Sequence, residues 1–147
     1  MSSRSPVLVS ACLLGLCCRY DGKAQANERV LALAASRPAI PVCPEQLGGL
    51  ATPRSPAERS EARVVTRGGE DVTEAFARGA RESLRLARLF GCRAAVLKAN
   101  SPSCGSGQIY DGSFSGRLVP GDGLTAALLK ENGIAVFTEA DDFDALL

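Results

Sequence analysis

Short apolar segments that alternate with amphipathic segments most constrain the fold of this chain. Strands are predicted at Pro6–Ser10, Ala39–Cys43, Arg93–Lys98 and Ile134–Phe137. Helical spacing of apolar residues predicts helices over residues 25–36, 71–91, 122–133 and 141–147. Strands separated by helices form βαβ units around a parallel sheet, with right-handed crossovers. We therefore predict an α/β fold, a small Rossmann-like three-layer domain with a mostly parallel sheet of about four to five strands.

The length suits one domain, and we expect residues 1–147 to form a single domain. We expect an ordered loop at residues 44–56 and a small hairpin or edge excursion at residues 62–72. We expect residues 100–123 to form a glycine-rich loop around a site. Asp122 is expected to cap the helix that follows it. Pro41 weakens the prediction of the second strand, because proline removes a hydrogen bond from the ladder.

Three cysteines, Cys12, Cys43 and Cys104, follow three of the predicted strands in segments rich in glycine, proline and polar residues. Ligands of parallel sheets bind beyond the carboxyl ends of the strands. If these strands are neighbours, the three sulfurs converge at one edge, where they can hold a metal cluster and leave one metal position open. Thiolates without histidine favour an iron–sulfur cluster over zinc. The alternative is three buried, inert cysteines, which are common in cores.

The chain contains no histidine. Ser–His and Cys–His catalytic pairs are therefore excluded, as are the histidine ligands of most catalytic zinc sites. The net charge of +1 gives no bulk attraction to nucleic acid or to an anionic membrane, so neither is expected as a partner. No apolar run is long enough to span a membrane, and the first residues lack the pattern of a secretory signal. We expect a cytoplasmic protein with reduced thiols.

Polar residues near these cysteines are candidates for proton transfer and ligand binding. Glu45 lies two residues after Cys43, where a carboxylate could shuttle protons, and the alternative is a surface acid. Ser101 and Ser103 offer hydroxyl groups to a polar ligand, although serine-rich turns are also common without a function. Lys98 ends the third predicted strand and either neutralises an anion or is a surface lysine.

The other three cysteines have less clear roles. Cys17 and Cys18 are adjacent, so their side chains diverge and at most one should face the site. The pair could supply a fourth ligand or a resolving thiol, or it could have no role. The absence of a role is the favoured interpretation. Cys92 precedes the third predicted strand at its amino end, which is the opposite edge of the sheet, and is expected to be structural.

A set of motifs occurs in one order, with compatible spacing, across nearly the whole chain. The motifs are Ser10-Ala-Cys-Leu-Leu-Gly15, Cys18-Arg-Tyr-Asp-Gly22, Val42-Cys-Pro-Glu-Gln-Leu-Gly-Gly49, Thr52-Pro-Arg54, Asp71-Val-Thr-Glu-Ala-Phe76, Leu97-Lys98, Ser101-Pro-Ser-Cys-Gly105 and Tyr110-Asp-Gly-Ser-Phe114. Together they resemble the bacterial thiouracil desulfurase family. This resemblance implies that the chain carries the desulfurase domain alone.

The resemblance implies an enzyme that replaces the sulfur of a thiouracil-type thiobase by oxygen, forming uracil and releasing sulfide without net redox change. It implies an oxygen-sensitive [4Fe–4S] cluster held by Cys12, Cys43 and Cys104, with the fourth iron open to capture the substrate sulfur. It also implies an acid/base role for Glu45 and a site serine at Ser101. The expected partners are the thiobase, sulfide and the iron–sulfur assembly machinery.

Two other functions are open on the sequence. One is an iron–sulfur or sulfide carrier module that serves a partner sulfur-transfer enzyme and needs no acid/base residue. The other is a zinc-stabilised domain in which the cysteines are structural.

Overall fold

A four-stranded parallel sheet forms the middle layer of the molecule. The computed structural model describes residues 5–147. Its strands, in chain order, are β1 (Val7–Ser10), β2 (Ala39–Val42), β3 (Ala57–Ser60), β4 (Arg63–Thr66), β5 (Ala94–Leu97), β6 (Gln108–Tyr110), β7 (Leu118–Pro120) and β8 (Ala135–Thr138). The order in the main sheet is β2-β1-β5-β8, and each neighbouring pair is parallel. The remaining strands form two antiparallel ribbons, β3–β4 and β6–β7.

Helices cover both faces of this sheet. They are α1 (Glu28–Ser36), α2 (Pro44–Leu47), α3 (Thr73–Phe90) and α4 (Leu124–Glu131), with 3-10 helices at Ala11–Leu14 and Asp144–Leu146. Successive side chains of a strand point to opposite faces. Val7 and Val9 accordingly pack with Val30 of α1, whereas Leu8 packs with Leu84 of α3 and Leu129 of α4. The predicted three-layer α/β fold is therefore confirmed.

The longest helix, α3, is amphipathic and ends where the sequence predicts. Its buried face includes Phe76, Ala80, Leu84 and Ala87. Gly91 ends the helix in the left-handed conformation with a φ of 70°, which glycine adopts without steric cost. Within residues 5–147, no helix is both long and apolar enough to cross a membrane.

The short helix α2 contacts α3 through two glycines. A Cβ atom on Gly79 would overlap the carbonyl oxygen of Pro44, and one on Gly48 would overlap the carbonyl oxygen of Ala75. The two helix backbones therefore touch. This contact fixes the position of α2, which begins directly after Cys43.

We predict that Gly79→Ala destabilises the protein. Alanine normally stabilises a helix interior by about 1 kcal/mol relative to glycine. Here the new methyl group must push α2 away from α3, which should lower the free energy of unfolding by about 1–3 kcal/mol. Urea unfolding measures the change. Gly68→Ala is the control, because its Cβ would meet only Thr66 Oγ1 at 3.9 Å. A higher urea midpoint for Gly79→Ala would contradict the close contact.

Three loop predictions are corrected by the structure. The segment predicted as a loop over residues 44–56 begins with helix α2, because proline suits the first turn of a helix. The hairpin predicted over residues 62–72 contains β4, but its main partner is β3, whose polar sequence shows no strand pattern. The glycine-rich segment of residues 100–123 contains the β6–β7 ribbon.

Two predictions about single residues also have clear outcomes. Asp122 does not cap α4, because Gly123 occupies that position and the Asp122 carboxylate instead accepts from the N–H of Gly107 at 2.9 Å and pairs with Lys130. Pro41 does lie within a strand. Because β2 is an edge strand, the hydrogen bond that proline cannot donate is not required there.

At the carboxyl terminus the structure differs from the prediction. Of the helix predicted over residues 141–147, only a 3-10 helix at Asp144–Leu146 is present. The prediction that the first residues carry no secretory signal concerns residues 1–4 in part, and these lie outside the described residues.

Candidate functional site

Cys12, Cys43 and Cys104 lie at the carboxyl ends of three adjacent strands. Cys12 is in the 3-10 helix after β1, Cys43 directly follows β2, and Cys104 lies in the loop after β5. All three line one cavity of about 610 Å³. The structure therefore shows the predicted gathering at one sheet edge, whereas a ligand role for the three sulfurs stays a prediction.

The loop that carries Cys104 is held against the start of α4. The carbonyl oxygens of Pro102 and Ser103 accept hydrogen bonds from the N–H groups of Leu124 and Thr125, both at 2.9 Å. These N–H groups belong to the first turn of the helix, which has no partners within the helix itself. The loop thus caps α4, and the capping fixes the backbone next to Cys104.

A fourth thiol, that of Cys18, shares the cavity wall. Burial first, and then negative charge at Cys104, raises the pKa of Cys12 to about 12. Burial and the neighbouring Cys43 raise the pKa of Cys18 to about 12. Burial also raises the pKa of Cys104 to about 11, although the hydrogen bond from Ser10 opposes this. Thiolates at this site are therefore disfavoured unless a cation joins them.

The structure decides where the other cysteines lie. Cys17 is exposed and Cys18 is buried, so only one of the pair faces the site, as predicted. Cys18 lines the cavity, and the favoured interpretation that the pair has no role stays a prediction. Cys92 is buried in the core beside α3 and α4, away from the cavity, which confirms a structural place for it.

Ser10 ties the ends of β1 and β5 to the thiol cluster and was missed as a candidate. Its hydroxyl accepts from the N–H of Lys98 at 2.9 Å and donates to Cys104 Sγ at 3.5 Å. A polar residue at the end of an otherwise apolar strand was the available signal. Lys98 is not a surface lysine, because its Nζ pairs with Glu139 at 2.6 Å and both side chains are largely buried.

Glu45 lies in the cavity wall and forms an ion pair with Arg54. Arg54 Nε donates to Glu45 Oε1 at 2.9 Å, and the side chains are only 8% and 21% exposed for arginine and glutamate, respectively. The alternative of an ordinary surface acid is therefore wrong for its position. Arg54 was not proposed from the sequence as a site residue, because it lies nine positions from Glu45 in a proline-rich loop.

Ser101 and Ser103 have different surroundings. The Oγ of Ser101 accepts from the N–H of Cys104 at 2.7 Å and lines the cavity. A hydroxyl group can accept and donate at the same time, so Ser101 can donate its proton while it accepts from Cys104. Ser103 is buried and shares a hydrogen bond of 2.9 Å with Thr125 Oγ1, so it supports the loop instead of lining the cavity.

Three aromatic side chains form part of the cavity wall. They are Tyr20, Tyr110 and Phe114, and the Arg67 guanidinium lies 5.4 Å from the centroid of the Phe114 ring. Glu58 Oε1 holds the turn beside Phe114 by accepting from two backbone N–H groups, at 3.0 and 3.1 Å. Aromatic faces stack well on flat, partly polar rings. This part of the cavity can therefore accept a planar heterocycle.

The donor set suits a metal cluster. Among residues 5–147, no three Cys, Asp or Glu side chains meet closely enough to hold one metal ion. A four-iron cluster bonds each thiolate to a different iron and so does not require the sulfurs to meet at one point. The wall of this cavity offers four thiols, which are the soft ligands that suit such a cluster, and it also includes the cations Lys98 and Arg54.

Three comparisons place the chain among known proteins. The model of the 2-thiouracil desulfurase family matches residues 7–141. The chain is 46% identical over 150 residues to the uncharacterized protein YbbK of Bacillus subtilis (strain 168), which covers 95% of this chain and 99% of that protein. The structure also resembles the solved structure of the [4Fe-4S]-dependent thiouracil desulfidase TudS, with a TM-score of 0.90 and 48% sequence identity between the two chains. The match covers 97% of this chain and 95% of the TudS chain. The chain belongs to the 2-thiouracil desulfurase family.

Proposed function

We propose that this protein is an iron–sulfur-dependent desulfurase that converts a thiouracil-type thiobase to uracil and releases sulfide. The observation that carries this proposal is the shared cavity, whose wall brings Cys12, Cys43 and Cys104 together with Glu45 and Ser101. Membership of the 2-thiouracil desulfurase family and the likeness to a [4Fe-4S]-dependent thiouracil desulfidase support it. On this proposal, residues 1–147 act as one desulfurase domain.

Cys12, Cys43 and Cys104 would hold a [4Fe–4S] cluster at the sheet edge. We assign these three because each follows a different strand of the parallel sheet, whereas Cys18 follows the same strand as Cys12. When bound, the cluster supplies an iron without a protein ligand, a Lewis acid that can capture the thiocarbonyl sulfur. Such a cluster makes the iron–sulfur assembly machinery a partner of this protein.

The reaction balances without electron transfer. A thiouracil and one water give uracil and hydrogen sulfide, so the C–S bond is replaced by a C–O bond and no atom needs an external oxidant or reductant. The Glu45 carboxylate would take a proton from the attacking water and return it as the C–S bond breaks. The Ser101 hydroxyl, whose oxygen accepts from Cys104 N–H, would orient the water or relay its proton.

The aromatic part of the cavity would hold the pyrimidine ring. Tyr20, Tyr110 and Phe114 offer faces for stacking, and stacking leaves the thiocarbonyl edge free to point toward the thiols. The cavity volume of about 610 Å³ leaves room for both a cluster and a small planar base.

We predict that Ser101→Ala lowers turnover while leaving the cluster in place. The change removes the donor hydroxyl and leaves Cys104 N–H without its acceptor, so kcat should fall about 10–100-fold. Uracil formation and iron content are measured on the same preparation. Ser106→Ala is the control, since it lies in the same loop outside the cavity wall. A kcat equal to that of the unsubstituted protein would remove Ser101 from the mechanism.

The proposed function is tested by anaerobic purification followed by assay. We expect about four irons per chain, the broad visible absorption of an iron–sulfur cluster, and repeated conversion of thiouracil to uracil with equal amounts of sulfide. Iron–sulfur absorption without turnover, together with sulfide delivery to an added acceptor protein, would favour a carrier module instead. One zinc and no iron per chain would favour a structural metal domain.

A further inference from the structure

The Arg54 side chain is anchored by its own loop. Its Nη1 donates to Thr52 Oγ1 at 2.8 Å and to the carbonyl oxygen of Ala51 at 3.2 Å. Its backbone N–H donates to the carbonyl oxygen of Tyr20 at 2.8 Å. These contacts leave the guanidinium little freedom to change its position, because a planar fork held at several donors has one preferred orientation.

The other donors of Arg54 point to the thiol cavity. Nε donates to Glu45 Oε1 at 2.9 Å, and Nη2 donates to the carbonyl oxygen of Cys18 at 2.9 Å. The same Nη2 lies 3.9 Å from Cys43 Sγ. One guanidinium therefore connects the proposed acid/base residue with two of the four thiol-bearing segments.

The Glu45 carboxyl side chain borders two cavities. Glu45 lines the cavity of about 610 Å³ and also a second cavity of about 150 Å³, whose wall includes Arg54 as well. A side chain that borders open space is held by fewer packing contacts than one enclosed in a close-packed core. Among residues 5–147, the only side chain that donates a hydrogen bond to this carboxylate is that of Arg54.

We infer that Arg54 is a positioning residue that holds the Glu45 carboxylate in its working orientation between the two cavities. This inference rests on the proposed function of Glu45. It assigns to Arg54 a role in turnover that acts through Glu45. Arg54 also fixes the loop of residues 48–56 to the segment of Cys18, which is a purely structural role.

The first test is Arg54→Lys. Lysine keeps the positive charge but lacks the fork that contacts Glu45, Thr52 and Cys18 at the same time. A misplacement of about 1 Å can cost about 100-fold in rate, so kcat should fall about 10–100-fold while KM stays within about threefold. Arg81→Lys is the matched control, because Arg81 pairs with Glu74 at the same distance of 2.9 Å on the exposed surface. It should leave kcat unchanged.

A double-mutant cycle distinguishes the positioning of Glu45 from a purely structural role of Arg54 in the loop of residues 48–56. If Arg54 acts through Glu45, Arg54→Lys should lower kcat by less than about threefold in the Glu45→Gln background. A loss of the same size in both backgrounds would overturn the inference. Equal iron content in the four proteins is required for the comparison.

A crystal structure of the metal-free Arg54→Lys protein provides a readout that does not depend on activity. We expect Glu45 in more than one rotamer or turned away from the thiols. A single Glu45 rotamer that matches the unsubstituted protein would overturn the inference. If the unsubstituted protein forms no uracil from thiouracil, the proposed function fails, but this structural comparison still decides whether Arg54 positions Glu45.

Discussion

Replacing Cys12, Cys43 or Cys104 by alanine should abolish iron binding and desulfuration together. The three sulfurs line one cavity at the ends of β1, β2 and β5, so each removed thiol would leave one iron of the proposed cluster without its protein ligand. Losing even an outer partner of a metal site costs about 10–100-fold in affinity or activity, so losing a ligand should cost at least about 100-fold. Iron content, visible absorption and uracil formation are measured on anaerobically purified protein.

Cys17→Ala is the matched control for these variants. Its thiol is exposed and outside the cavity wall, so iron content and turnover should equal those of the unsubstituted protein. Full iron and activity in all three cysteine variants would contradict the ligand assignment. Loss of iron from Cys18→Ala, with retention in Cys12→Ala, would move the ligand set to the fourth thiol and would also contradict it.

Glu45→Gln should keep the cluster and lose most of the turnover. Glutamine retains an oxygen that can accept from Arg54 Nε, so the local structure is preserved, but its amide cannot exchange a proton with water. General acid–base groups typically contribute about 100- to 10,000-fold to rate, and a decrease of this size in kcat is expected. Steady-state assays with thiouracil, normalised to iron content, measure it.

Glu74→Gln is the matched control for Glu45. Its carboxylate also pairs with an arginine at 2.9 Å, but its side chain is 83% exposed and lies far along the chain on α3. Turnover should not change in this variant. A kcat of Glu45→Gln within about twofold of the unsubstituted value would exclude Glu45 as the acid/base residue, since proton transfer would then need another group.

The sequence predicted the sheet well because its two central strands, β1 and β5, are buried on both faces. All four residues of β1 and all four of β5 are buried, which produces continuous apolar runs that stand out between amphipathic helices. The position of the three cysteines followed from these runs, because parallel strands present their carboxyl ends at the same edge. The strands of the main sheet and the helices α1, α3 and α4 were thus available from local patterns.

The parts of the site that depend on loops could not be predicted from local sequence patterns. The Arg54–Glu45 pair joins α2 to a proline-rich loop, and the Cys18 thiol reaches the cavity from a turn that has no periodic pattern. The strand β3 is mostly polar and was likewise missed. No spacing rule predicts such contacts, because they depend on the path of each loop.

By itself, the sequence determined the α/β class, the sheet edge that carries three thiols, and the absence of histidine from any proton transfer. Only the tertiary structure decided that a fourth thiol joins them, that Ser10 links Cys104 to Lys98, and that Arg54 holds Glu45. The physical reason is that side-chain periodicity is a property of neighbouring residues. Contacts between distant segments instead depend on close backbone packing, such as that of Gly48 and Gly79, which no local pattern records.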